Sequence, residues 1–239
     1  MKRLFPAILA VVLLLFGCGK EIAETVPIAS IEFQSCITVC NLPQARDFGS
    51  FTAQPPGPEA EAARTMVREV LDQYPAGFAD QWGPVEILLV GQLTGTDRFS
   101  GGCYAGFTQR TDDGWLLVLD AGRADIGTVH HEIAHILDGI LTEAGSLTEP
   151  EWLDLCPPGF RYGTGRWEDY PDFFADAYAM ESIREDRART FEDAVLCGEG
   201  AYLDRPALWL KLERFSRAIR DHFDTAGWPE RTIWELALG

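Results

Sequence analysis

The order of hydrophobic patterns predicts an α+β domain, with a small sheet packed on one side of a mainly helical body. Three observations carry the prediction. Two short apolar runs bounded by Gly and Pro, at 85–93 and 114–122, read as buried strands. An amphipathic stretch of helical period precedes them, and beyond residue 125 only helical patterns and turns follow. The composition, 46% hydrophobic and 11% aromatic, belongs to a globular chain with a core and excludes disorder as the default.

The chain opens on MKRLFPAILAVVLLLFGCGK. Lys2 and Arg3 give a positive start, and Leu4 to Phe16 form an apolar run of thirteen residues. That is short of the about 20 residues a membrane-spanning helix needs, but it suits the core of a signal peptide. Leu15-Phe16-Gly17-Cys18 resembles a bacterial lipobox, in which the cysteine becomes the lipidated first residue, although Phe16 is bulkier than usual there. Residues 1–17 are therefore expected to be a lipoprotein signal peptide and Cys18 the lipidation site. The protein would be exported and anchored to a bacterial membrane, in the periplasm or at the cell surface. A plain secretory signal is the alternative. Residues 18–58, ending in TAQPPGPE, read as a tether with one short strand near Ile31 to Phe33. The domain proper is expected at 59–239.

Pro58 opens a helix in which Ala63, Met66, Val67, Val70, Leu71 and Tyr74 keep helical spacing. The strands VEILLVGQL and GWLLVLDAG follow, with a strand-and-turn segment, SGGCYAGFTQRTDDG, between them. Asp125 is placed to cap a helix from Ile126 to about Leu141. The turn-rich CPPGFRYGTGRW then leads to Asp169, which can cap a helix over YPDFFADAYAMESIRED. RARTFEDAVL and PALWLKLERFSRAIRDHF give two further helices. There is no internal repeat.

Acidic residues outnumber basic ones 37 to 20, a formal charge of −17, and loss of Lys2 and Arg3 with the signal leaves 18 basic residues and −19. Such a surface repels phosphate backbones, which argues against nucleic acid as a partner. It also offers no polybasic patch for anionic lipid, so membrane attachment falls to the acyl chains. Six cysteines occur, at 18, 36, 40, 103, 156 and 197. With Cys18 lipidated, five remain in an oxidising compartment, enough for at most two disulfides, with Cys36 and Cys40 spaced for a local loop.

Three of the four histidines lie in GTVHHEIAHILDG, residues 127–139. On a helical wheel Ile126, Val129, Ile133, Ile136, Leu137 and Ile140 form one apolar stripe, and Thr128, His131, Glu132, His135 and Asp138 fall opposite. His131 and His135 are one turn apart, so both rings can converge on one ion. Two imidazoles supply two of the three protein ligands of a catalytic zinc, leaving a position open for a water whose pKa the metal lowers to ~7. Glu132 can take that water's proton and pass it to the leaving amine. The other reading is a solvated helix face that carries histidines. A strand ending at Leu119, just before such a helix, is where an extended peptide would pair with the sheet edge.

The third ligand is absent from this segment. The Gly and His that a metzincin carries after the second histidine are Asp138 and Leu141 here. His130, about 100° around the helix from the ligands, reads as helix surface. His222 is a lone histidine on a distant amphipathic helix. Downstream, Asp172 and Asp176 stand one turn apart on the predicted 170–186 helix. They could place one carboxylate on the metal and the other behind a ligating histidine; wet aspartates on an ordinary amphipathic helix are the alternative.

The chain here resembles the gluzincin metallopeptidases of the anthrax lethal factor and Pro-Pro endopeptidase type, together with bacterial zinc-binding metallopeptidase lipoproteins. The likeness runs over about 85–183. It is carried by the His131–His135 motif with Asp138, and by Tyr162-Gly163 followed by Asp172-Phe173-Phe174-Ala175-Asp176-Ala177-Tyr178, similar to the family's Tyr-Gly and Glu-Phe-Phe-Ala-Glu-Ala-Phe. By position, the resemblance implies Asp172 as the third zinc ligand, Asp176 as its outer partner and Tyr162 as the phenol that stabilises the oxyanion. Asp138 is a further outer partner. Both family glutamates are aspartates here, each one methylene shorter, and the tyrosine-to-ligand spacing is longer, which leaves Glu168 and Asp176 as fallback ligands.

These readings describe an exported, lipid-anchored zinc metalloendopeptidase with a zincin-like domain and one zinc per chain. His131, His135 and Asp172 would bind the metal, Glu132 would be the base, and a protein or peptide the substrate. The rival is a zinc-bearing surface lipoprotein that binds a partner without hydrolysis, its metal poorly poised by the shortened ligands.

Overall fold

Both apolar runs are strands, and their lack of alternation reflects burial on two faces. The structure, a computed structural model, describes residues 31–34, 36–96 and 102–239. β5 (Val85–Gly95) and β7 (Trp115–Asp120) run parallel, Val85 opposite Trp115 and Leu89 opposite Leu119, and every residue of β7 is buried. The intervening segment supplies β6 (Gly106–Arg110), antiparallel to β7. β5 is joined on its other side by β2 (Ile37–Asn41), also parallel, and β2 by antiparallel β1 (Ile31–Gln34). The main sheet therefore reads β1-β2-β5-β7-β6. Past Gly91, β5 pairs with β4 (Phe51–Gln54), itself paired with the two-residue β3 (Arg46–Asp47).

The α+β class is thus observed, but the boundary expected at residue 59 is not. Residues 37–54 belong to the sheet instead of a tether, because Ile37, Val39, Cys40, Leu42 and Ala53 are all buried in it. Residues 1–30, with the expected signal peptide and Cys18, lie outside the described residues. No helix among the described residues is long and apolar enough to cross a membrane. The five described cysteines are separate thiols, contrary to the disulfides expected. For Cys36 and Cys40 the reason is geometric: four strand steps separate them by ~13 Å, about twice a disulfide's reach.

One face of the sheet packs against α1 (Ala60–Leu71) and α2 (Ile126–Glu143), and α4 (Ile183–Cys197) and α5 (Pro206–His222) pack on α2, with Val67, Leu117, Ile133, Phe191 and Phe215 in a single core. The opposite face buries Leu88, Val90, Leu116 and Val118 beneath Phe51 and Phe107, whose rings stack at 4.6 Å. α2 begins where expected, with Asp125 accepting from the Thr128 amide at 2.8 Å.

The helix predicted over 170–186 does not form. Residues 167–180 run as turns and short 3-10 pieces, and α4 starts only at Ile183, where the Ser182 hydroxyl accepts from the Glu185 amide. Tertiary contacts take the groups a helix would need. Lys211 holds the Phe173 carbonyl at 2.7 Å and Arg205 the Phe174 carbonyl at 3.2 Å, while Asp176 accepts from the Ala179 amide. A short α3 (Glu149–Leu153) links α2 to this irregular stretch.

Candidate metal centre

The polar side of α2 is not wet. β6 lies along it, α4 packs across it, and His131, Glu132, His135 and Asp138 are all buried between them. From the first turn of α4, Glu185 reaches into this cleft. Its Oε2 lies 3.1 Å from His131 Nε2 and 3.5 Å from His135 Nε2, and the three ligand atoms sit within 4.8 Å of one another. Ligands at ~2.0–2.1 Å from a tetrahedral zinc stand ~3.3 Å apart, so the spacing and the N, N, O donor set both fit such an ion.

The surrounding charges agree. Burial disfavours a positive His131, yet hydrogen bonds to Glu185 and Glu192 push it up to about 9. Burial likewise works against a charged Glu185, but His131 and His135 hold it well below the usual carboxylate range. The pocket is built to hold positive charge between these groups. Glu192, two turns along α4 from Glu185, stands 3.0 Å from His131 Nδ1 and so fixes which ring nitrogen faces the cleft. Arg189 bonds Glu192 and also meets Asp176 at 2.6 Å. The Nδ1 of His135 is buried without a hydrogen-bond partner.

Glu132 points toward β6, where the Thr108 hydroxyl lies 2.8 Å from its Oε2. Burial raises its carboxyl, partly offset by the two histidines, toward the range useful for a base. Gly106 makes this approach possible: a Cβ there would lie 3.2 Å from both Cγ and Oε1 of Glu132. The half-exposed Tyr178 closes the other side, its ring 6.0 Å from that of His131 and its phenol near enough to Glu185 to feel its charge. These residues line a cavity of about 220 Å³ with Phe51, Tyr104 and Phe107.

Several sequence-assigned residues stand elsewhere. Asp172 is exposed on the irregular stretch and is not part of the three-residue group, whose carboxylate comes from Glu185. Nor is Glu168, exposed in the 167–169 turn. Asp176 is linked to His131 only through Arg189 and Glu192. Tyr162 faces away, its hydroxyl donating to Asp186 at 2.6 Å in a buried cluster with Lys211 and Trp152. Asp138 backs neither ligand; it pairs with Arg187 at 2.6 Å and fastens α4 to α2. His130 is fully buried, with Nδ1 2.8 Å from the Tyr74 hydroxyl and its pKa lowered by burial to about 4. The strand after which α2 begins is not the sheet edge either, since β6 covers β7. Among the described residues, no strand pairs with the outer side of β6. His222 lies with Trp82, Trp115 and Glu143 around a separate cavity.

Glu185, Glu192 and Tyr178 are the residues sequence reasoning missed. A signal for two of them was present, because Ser182-x-x-Glu185 matches a helix-start pattern and puts Glu185 and Glu192 two turns apart on one face. No protein-family model matches the chain, and no curated protein does. Among solved structures, a putative zinc-binding metallo-peptidase from Bacteroides caccae is similar at a TM-score of 0.49 and 16% identity, over 75% of this chain and 72% of that one. A likeness at that level identifies no family.

Proposed function

We propose that the chain is a zinc-dependent metalloendopeptidase in which His131, His135 and Glu185 hold one zinc. The observation that carries the reading is the convergence of those three ligand atoms beside the buried carboxylate Glu132. When bound there, zinc supplies Lewis acidity and a water that ionises near neutral pH. The residues supply the rest. Glu132 takes a proton at Oε1 or Oε2 and returns it to the leaving amine, its raised pKa suiting both steps. Glu192 keeps His131 in the tautomer whose Nε2 is free for the metal.

The Tyr178 phenol, held protonated by burial and by Glu185 and Glu132, can donate to a developing oxyanion. This role replaces the one the resemblance implied for Tyr162. The open side of β6 carries the outward N–H and C=O groups of Gly106, Thr108 and Arg110, against which an extended substrate can pair. A full-length glutamate in the third position also removes the reason for suspecting a poorly poised metal. Export and lipid attachment at Cys18 belong to the same reading and rest on residues 2–18.

The test is digestion of a peptide library by the purified protein, with and without a chelator and with zinc restored. Cleavage that chelation abolishes and zinc restores is expected. Failure to cleave with zinc bound refutes the enzymatic reading and leaves the partner-binding lipoprotein.

A further inference from the structure

Arg184 stands immediately before Glu185 at the start of α4. It lines both the cavity of about 220 Å³ over His131, Glu132 and His135 and an adjoining one of about 500 Å³ that continues along β6. Its side chain is 56% exposed, and its ion-pair contact is Asp138 Oδ2 at 3.6 Å. Asp138 is already neutralised by the buried Arg187 at 2.6 Å. The other charges of these walls are accounted for. Arg110 pairs with Glu143 at 3.1 Å, Glu185 meets the two histidines, and Glu132 meets Thr108. Glu149 also lines the larger cavity. Arg184 thus presents to the cleft an exposed guanidinium that a single long ion pair leaves largely uncommitted.

We propose that Arg184 binds a carboxylate of the substrate, making the cleft selective for peptides with an acidic group near the cleaved bond. The inference rests on the peptidase reading for its substrate class. A guanidinium has five donors in a planar fork that matches a carboxylate, and Arg184 commits little of that capacity within the protein. Long-range repulsion from the acidic surface does not oppose this, because salt screens it beyond about 8 Å while the contact is made at bonding distance. The carboxylate can be an Asp or Glu side chain or the terminus of the peptide.

The experiment uses the full chain, zinc-loaded and carrying Glu132→Gln, with binding followed by fluorescence anisotropy. The probes are labelled peptide pools with Glu, Gln or Lys fixed at one position and uncharged residues elsewhere, each made with a free or amidated C-terminus. The Glu pool should bind about tenfold tighter than the Gln pool, the scale of one charge-assisted bond. Arg184→Gln should erase the difference and Arg184→Glu should favour Lys, with zinc content unchanged. An effect of amidation alone would assign the carboxylate to the peptide terminus. Equal affinity of the Glu and Gln pools with no effect of amidation, no binding of any pool, or a preference that survives both Arg184 variants overturns the proposal. Cleavage by the wild-type chain is measured in parallel. Arg184-dependent binding without cleavage would sink the peptidase reading alone, and cleavage without Arg184 dependence would sink this one alone.

Discussion

Replacing Lys211 by methionine strips one partner from an ion pair sealed from water. Lys211 and Asp186 both have fully buried side chains, with Nζ 3.0 and 2.7 Å from the carboxylate oxygens and 2.7 Å from the Phe173 carbonyl. Methionine keeps most of the packing volume. Asp186 retains Tyr162 at 2.6 Å and Trp152 at 2.8 Å as donors but loses its counter-charge. Breaking a buried pair from one side costs about 3–5 kcal/mol. The two surviving donors put the loss at the low end, about 3 kcal/mol, or a fall of roughly 6–12 °C in Tm for a chain of this size.

The penalty has a pH signature. Burial already raises the Asp186 carboxyl against the pull of Lys211, and without Lys211 it rises further. A carboxyl whose folded pKa lies above its unfolded value, about 3.9, destabilises the fold at high pH and loses that effect as pH falls. Urea unfolding should therefore show about 3 kcal/mol at pH 7 and roughly half of that at pH 5. Adding Asp186→Asn should recover part of the loss at pH 7. A penalty below about 1 kcal/mol at pH 7, or one of equal size at both pH values, refutes the reasoning.

Glu132→Gln should keep zinc and the fold while lowering kcat by about 10²–10⁴, read by metal analysis and peptide cleavage together. Tyr178→Phe should lower kcat by about 10–10³ with KM little changed, whereas Tyr162→Phe should affect stability and leave the chemistry alone. Glu192→Gln should weaken zinc affinity about 10–100-fold in competition with a chelator, because His131 exchanges a charged carboxylate acceptor for a neutral amide that can also present its NH2.

The sequence disclosed the parts of the site that are local. The spacing of His131, Glu132 and His135 holds on any helix, and Asp125 marked where that helix begins. The strands at 85 and 115 declared themselves by unbroken apolar runs. Glu185 was missed because Phe173, Phe174, Ala177 and Tyr178 mimic helical spacing in a stretch that does not form a helix. Lys211 and Arg205, some 30 residues or more downstream, claim its carbonyls, and no local pattern reports that. The polar face of α2 read as solvated for a similar reason, since the elements that bury it are β6 and α4. Residues 37–54 looked like a tether because short strands paired to a distant partner carry too little pattern to stand out.

The measurement closest to the central claim is zinc bound per folded chain in the wild type, Glu185→Ala and Asp172→Ala, taken by elemental analysis with chelator competition. About one zinc should bind in the wild type and in Asp172→Ala, with affinity reduced about 100-fold or more in Glu185→Ala. Zinc lost in Asp172→Ala and kept in Glu185→Ala would contradict the account, as would a wild-type chain that binds none.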